Sequence, residues 1–146
     1  MSHTIPDAPF AYRHEVPLQI RFNDIDLFGH LNNSVYVQFL DMGKLAYFKQ
    51  FMKGGFEHEA SVPVVANLNV TFHAPTLIDE KLSVFTEVAS ISKSSLVLDQ
   101  RIVSSRGAVK CTATTIMVNI DPRTGESVPV SEEWRKALSE FEQREL

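Results

Sequence analysis

Residues 33–52 read N-S-V-Y-V-Q-F-L-D-M-G-K-L-A-Y-F-K-Q-F-M. Tyr36, Phe39, Leu40, Gly43, Ala46 and Tyr47 recur at intervals of three and four, which places them on one stripe of a helix. Asn32-Asn33-Ser34 supply N-cap chemistry at its start, and Gly54-Gly55 stop it. Gly43 costs about 1 kcal/mol of helix propensity against Ala, so its place in the stripe implies a close-packed neighbour. The spacing predicts no other long helix in the body of the chain. An aromatic stripe of this length must be buried against something large.

The surrounding sequence supplies a sheet. On the N-terminal side, Glu15 to Asn23 alternates, with Val16, Leu18, Ile20 and Phe22 expected to point one way. Pro17 lies near the start of that strand, where a missing N–H does least harm. On the C-terminal side come four strand-like runs, about Val62 to His73, Lys81 to Ser92, Ser95 to Ser104 and Val109 to Ile120. Short breaks rich in Ser, Gly, Pro and Asp separate them and suit antiparallel neighbours. In the first run Val64, Ala66, Leu68, Val70 and Phe72 are expected on one face, with Asn67, Asn69, Thr71 and His73 on the other. After Pro129, Ser131 can cap a short helix over about 131–144.

The order strand, long helix, four strands, short helix predicts an α+β protein. One antiparallel sheet of about five strands carries the helix on one face. A single helix covers so wide a sheet only if the sheet curls around it. The other sheet face then calls for a second chain, so self-association is expected. The 146 residues suit one domain, 1–146, with a core over about 15–130.

Composition narrows the function. At 44% hydrophobic and 22% charged, the chain is neither disordered nor a disulfide scaffold. A net charge of −4 argues against nucleic-acid binding through bulk positive charge. No window approaches the ~18 apolar residues that span a bilayer, and Met1 to His14 lacks an apolar signal core. The expected location is the cytoplasm, with no membrane partner. Cys111 stands alone in an alternating run and reads as a small core residue.

The chemistry concentrates in Asp24 to Tyr36, D-I-D-L-F-G-H-L-N-N-S-V-Y. A strand ends, a polar loop turns at Gly29, and a helix begins at two asparagines. The helix start offers unpaired N–H groups suited to a polarised oxygen. A carboxylate a few residues upstream faces the same space. Together they make a minimal kit for hydrolysing an acyl bond. Each residue also has a plainer reading: Asp24 and Asp26 as turn formers, Asn32 or Asn33 as N-cap, His30 as a structural histidine. Asp24, Asp26 and His30 could also ligate a metal. The loop, however, has no H-x-x-x-H pair, no Cys partner and no EF-hand spacing, so no metal is expected. Nucleophile-elbow, Walker and dinucleotide-binding motifs are absent.

The same segment resembles the D-x-D-x-x-G-H-x-N-N-x-x-Y signature of hotdog-fold acyl-CoA thioesterases of the 4-hydroxybenzoyl-CoA thioesterase-like family. N-L-N-V-T-F-H-A-P, L-I-D-E-K-L-S-V-F-T-E-V and K-S-S-L-V-L-D-Q-R-I-V follow that family's strand pattern, so the likeness covers roughly Val16 to Val130. It implies a hotdog fold and an active site at the interface of a homodimer or homotetramer. It also implies acyl-CoA as substrate and no cofactor. Asp26, the second Asp of D-x-D, would be the nucleophile or the general base. The Asn33 backbone N–H would hold the thioester oxygen, with Gly29, His30 and Asn32 shaping the loop and lining the site. Tyr36 also matches the signature. The CoA nucleotide would lie near the turn before the fourth strand, at Lys93, Ser94 and Ser95. Members specialised for aromatic thioesters lack the His-x-Asn-Asn string, so the resemblance favours a fatty acyl substrate. Plant acyl-carrier-protein thioesterases carry a related string, but their catalytic residues lie in a second hotdog repeat, which 146 residues do not hold. The alternatives are an acyl-carrier-protein thioesterase, a non-catalytic acyl-CoA-binding hotdog module, and a dehydratase or hydratase using His30.

Overall fold

The computed structural model describes residues 4–55 and 59–146. It contains strands β1 (His14–Leu18), β2 (Val62–Phe72), β3 (Leu82–Ile91), β4 (Ser95–Ser104) and β5 (Val109–Ile120), and helices α1 (Asn33–Lys49) and α2 (Glu132–Glu142). The strands form one antiparallel sheet in the order β1-β3-β4-β5-β2. With α1 packed on its inner face, this is the α+β hotdog fold. The expected β4 and β5 match the observed strands, and β2 and β3 differ by a residue at their ends.

The helix stripe is buried as its spacing requires. Tyr36, Phe39, Leu40, Gly43 and Tyr47 all face inward. Leu40 and Tyr47 are fully buried, and burying a large apolar side chain contributes roughly 1.5–3 kcal/mol. The stripe serves two apolar clusters. Tyr36, Phe39 and Leu40 pack with Leu18, Leu82, Val84, Ile102 and Cys111. Tyr47, Phe48 and Met52 pack with Val88, Leu98, Met117 and Leu138. Gly43 lies where the helix backbone meets the sheet. A Cβ there would come within 2.9 Å of both Gln100 Nε2 and Val84 Cγ2. Gln100 is itself pinned, donating to the Leu40 carbonyl at 2.9 Å and to Thr86 Oγ1 at 3.0 Å. Cys111 is the core residue its alternation suggests, and burial pushes its thiol up to about 12.

Three expectations are corrected. β1 ends at Leu18 rather than near Asn23, because Phe22–Asp24 coil into a 3-10 turn held by Arg21 and Asp24. Phe22 therefore leaves the apolar face and is 83% exposed. α1 ends at Lys49, before the glycine pair. In β2 a bulge at Ala66 shifts the register between Val65 and Asn67. Val65 thus shares the inner face with Leu68 and Val70, while Val64 joins Asn67 and Asn69 outside.

The chain's two ends trim the sheet. β1 pairs with β3 only as far as Thr86. Past that point Glu142 takes over: its Oε2 accepts the Val88 N–H at 3.0 Å and the Tyr47 hydroxyl at 2.6 Å. Arg144 donates to the Val88 carbonyl. The N-terminal segment crosses the outer face, where the Tyr12 hydroxyl donates to Asp99, Arg101 donates to the Pro6 carbonyl, and the Phe10 N–H donates to Glu87. Glu87 is fully buried and stands directly opposite Asp99 on β4.

Burial, helped by the Asp99 charge, pushes the Glu87 carboxyl from 4.5 up to about 7. Between those values the folded chain holds a proton that the unfolded chain has released. Glu87 therefore stabilises the fold below pH 4.5, and that contribution is lost as pH rises through about 7. Glu87→Gln should remove this slope. Urea midpoints at pH 4.5, 6 and 7.5 should draw apart from wild type progressively, with the variant gaining relative stability at the highest pH. Parallel profiles would show that Glu87 does not titrate in this range.

Candidate active site

The two aspartates of the loop do different jobs. Asp24 is 2% exposed. Its Oδ2 accepts the Arg21 backbone N–H at 2.8 Å and Nε at 3.4 Å, and its Oδ1 accepts the guanidinium at 3.1 Å. Burial works against its ionised form, but the Arg21 hydrogen bonds and charge outweigh burial and hold the carboxyl below its ordinary value. The Asp24 carbonyl accepts the Asn32 N–H at 2.8 Å, so this residue ties the end of the strand to the start of the helix.

Asp26 faces outward. The loop closes on it: its N–H donates to the His30 carbonyl at 2.8 Å, and its own carbonyl accepts the Gly29 N–H at 3.1 Å. Gly29 has φ +80°, a conformation that suits glycine. The Asp26 side chain completes the turn. Its Oδ1 accepts the N–H groups of Phe28 at 2.9 Å and His30 at 3.2 Å. Among the described residues Oδ2 has no hydrogen-bond partner, so one oxygen is fixed and the other is available for chemistry.

Asn32 is the N-cap. Its Oδ1 accepts from the Ser34 N–H at 3.1 Å and the Ser34 hydroxyl at 3.2 Å. Asn33 is the first residue of α1, and among the described residues its N–H has no acceptor. Asp26, His30 and Asn33 line one cavity of roughly 290 Å³, together with Tyr36, Phe72, His73 and Pro75. Thr76 holds the exit of β2 against this loop: its carbonyl accepts the Leu31 N–H at 2.8 Å, and its hydroxyl is 2.8 Å from the Tyr36 hydroxyl. Tyr36 is thus both core and cavity wall.

Sequence reasoning placed Phe72 and His73 only on opposite faces of the strand, and gave Thr76 no role. They come from the far end of β2, 36 to 40 residues along from Tyr36, and only the sheet register brings them here. The one local signal was the polar H-A-P-T ending of a strand. Lys93, Ser94 and Ser95 lie elsewhere. They form the β3–β4 turn, tied to the approach to α2 by the bond from the Val130 N–H to the Lys93 carbonyl. The loop end of the sheet is marked by the Leu82–Ser104 pair, and the turn lies past the Ile91–Leu96 pair at the opposite end. Within one chain these residues do not join Asp26.

The aspartate loop holds two large apolar side chains out in solvent. Leu27 is 101% exposed and Phe28 83%, and both adjoin Asp26. Among the described residues, no cluster of His, Cys, Asp and Glu is placed to hold a metal, and no helix is long and apolar enough to cross a membrane.

Comparison with known proteins gives the family of the chain. The acyl-CoA thioester hydrolase YbgC of Escherichia coli O157:H7 is 28% identical over 108 residues, covering 73% of this chain and 81% of that protein. The long-chain acyl-CoA thioesterase FadM of Escherichia coli K12 is 23% identical, covering 87% and 98% respectively. A crystal structure of a thioesterase from Thermus thermophilus, complexed with coenzyme A and Zn, superposes with a TM-score of 0.82 at 24% identity, over 92% of this chain and 98% of that one. The family model of the thioesterase-like superfamily matches residues 20–138, which take in the aspartate loop, α1 and every strand but β1. The chain therefore belongs to the thioesterase-like superfamily.

Proposed function

We propose that this thioester hydrolase cleaves acyl-CoA esters, fatty acyl ones in particular, with Asp26 as the catalytic carboxylate. The observation that carries the proposal is the shared cavity. A carboxylate with one oxygen fixed by loop N–H groups and the other open stands beside an unpaired N–H at a helix start. Asp26 either attacks the thioester carbonyl, forming an anhydride that water then hydrolyses, or draws a proton from an attacking water. On either route the C–S bond breaks, coenzyme A leaves as its thiol and the acyl group leaves as the free acid. The negative charge that develops on the carbonyl oxygen falls to the Asn33 N–H and the positive end of α1. Gly29 and Asn32 keep the loop in register, and His30 lines the approach. The acyl-CoA substrate class is supported by the activities named for YbgC and FadM. The fatty acyl preference is supported by FadM and by the Gly-His-x-Asn-Asn string.

The working unit in this reading is a cytoplasmic homodimer or homotetramer. β2 is paired on one side only and leaves Val64, Val65 and Phe72 exposed along it. A long apolar edge strand calls for a partner. A second subunit is also the only route by which Lys93 reaches a site built on Asp26.

The test is free-thiol release from short, long and aromatic acyl-CoA esters, with long fatty acyl esters expected to turn over best. Release only from acyl-carrier-protein esters would transfer the activity to that substrate, and release from none would leave a binding module. Asn33→Pro probes the oxyanion donor directly. Proline suits the first helical position, and Asn32 already has the extended ψ of 138° that a following proline demands. The substitution removes one N–H and should lower kcat roughly a hundredfold with the melting temperature nearly unchanged. Unaltered kcat would place the oxyanion elsewhere.

A further inference from the structure

On the β2 side, three consecutive residues line the candidate cavity: His73, Ala74 and Pro75. All three are bonded to one residue of β5, Lys110. Its carbonyl accepts the His73 N–H at 2.8 Å and the Ala74 N–H at 3.3 Å. Its Nζ donates to the Pro75 carbonyl at 2.8 Å. The same ammonium pairs with Glu80 Oε1 at 2.8 Å, and Glu80 Oε2 accepts the Leu77 N–H at 2.7 Å. The connection from β2 to β3 is thus folded around one ammonium and held near its start, middle and end.

The backbone of β5 sets this up. Its pairing with β4 steps from Ile102–Cys111 to Val103–Val109, so Lys110 is the extra residue of a β-bulge. A bulge re-aims the side chain that it carries. Lys110 is charged and yet only 5% exposed. An apolar side chain of similar length would fill this place with no ammonium to desolvate, so stability is a poor reason for a lysine here. The clamp is nevertheless well made. The hydrogen bond from Lys110, joined by that from the Leu77 N–H, outweighs burial and holds the Glu80 carboxyl below its ordinary value, and the charges of Lys110 and Arg106 add to this.

Between the two ends of the clamp sits Thr76, fully buried. Its carbonyl accepts the Leu31 N–H at 2.8 Å, and its hydroxyl is 2.8 Å from that of Tyr36. Leu31 follows His30, whose N–H donates to Asp26 Oδ1 at 3.2 Å, and precedes Asn32, the N-cap of α1. A continuous run of bonds therefore leads from the Lys110 ammonium to the Asp26 carboxylate and to the start of the helix.

We propose that Lys110 is a positioning residue for the candidate active site. Through Pro75, Glu80 and Thr76 it fixes where the aspartate loop stands against the end of β2. What the site does rests on the thioesterase reading, whereas the clamp can be tested without any substrate.

The experiment compares wild type, Lys110→Met, Glu80→Gln and the double variant, each as the full chain. Amide hydrogen exchange is read first. In Lys110→Met the Leu31 N–H should exchange at least tenfold faster, while those of Val84, Leu98 and Ile102 in the central sheet keep their wild-type rates. Steady-state cleavage of an acyl-CoA ester is read second. Lys110→Met should lower kcat roughly tenfold and leave KM within twofold, since small misplacements of a reacting group are costly. Glu80→Gln leaves the ammonium in place and should fall between; it carries both readouts if Lys110→Met does not fold. The double variant should be no slower than Lys110→Met, because both changes open the same clamp. Unchanged Leu31 exchange, faster exchange spread evenly over the sheet, wild-type kcat with a loosened Leu31, or additive losses in the double variant would each overturn the proposal. Failure of the thioesterase reading shows separately, as no thiol release by wild type from any ester, and the exchange rates then still decide whether Lys110 holds the loop.

Discussion

Asp26→Asn is expected to lower kcat for thioester cleavage by a factor on the order of 10³, the scale of a lost catalytic base or nucleophile. The substitution separates chemistry from architecture. An asparagine oxygen can still accept the Phe28 and His30 N–H groups that the Asp26 Oδ1 accepts now, so the turn survives and only the ionised oxygen is lost. Thermal denaturation should therefore be near wild type. KM should change little, because the cavity keeps its shape. Asp24→Asn makes the contrasting control: it weakens the clamp from Arg21 to a buried group, so its first effect is on stability. Full turnover by Asp26→Asn would remove Asp26 from the chemistry whatever the rest of the loop does.

The largest stability effect is expected at Gly43→Val. The added Cβ alone meets Val84 Cγ2 and Gln100 Nε2 at 2.9 Å and Thr86 Oγ1 at 3.0 Å. None of the three yields cheaply. Val84 is a branched side chain in the fully buried centre of β3, and Gln100 is held by its bonds to Leu40 and Thr86. Two further methyl groups must lift α1 off the sheet. A cost of about 3 kcal/mol or more follows from overpacking of this kind, which for a chain of this size is a loss of roughly 6–12 °C in Tm. Gly43→Ala should lie between, since the clash is offset by about 1 kcal/mol of helix propensity. A Val variant that melts with wild type would mean that helix and sheet are not in close contact at this point.

Gly43 also illustrates what the sequence makes legible. A glycine inside an apolar helical stripe signals close approach, and the structure supplies the partners. Periodicity found the helix, the five strands and the cap at Ser131, whose hydroxyl accepts the Trp134 N–H at 3.2 Å, because burial of one face imposes those periods directly. It failed where a side chain bends the backbone. Arg21 and Asp24 coil 22–24 into a turn although Leu18, Ile20 and Phe22 alternate like a strand. The bulge at Ala66 likewise reverses the inward set of β2 at its N-terminal end, where alternation alone puts Val64 inside. In the site, the loop and the helix start lie within one contiguous segment and could be read together. Phe72, His73 and Thr76 could not, because their place depends on a register between β2 and β5 that no local pattern encodes.

The strand order has a kinetic consequence. β3, β4 and β5 are joined by short turns and lie together at the centre of the sheet, whereas β1 and β2 occupy its two edges. Closing two local hairpins costs little loop entropy, so the central meander is the natural nucleus, with α1 docking on it and the edges added late. The aspartate loop and the end of β2, which together line the candidate catalytic cavity, belong to those late additions. Substitutions there should carry low φ-values: they should speed unfolding and leave the folding rate almost untouched. On that order of assembly, the chain can vary its candidate site without slowing its own folding.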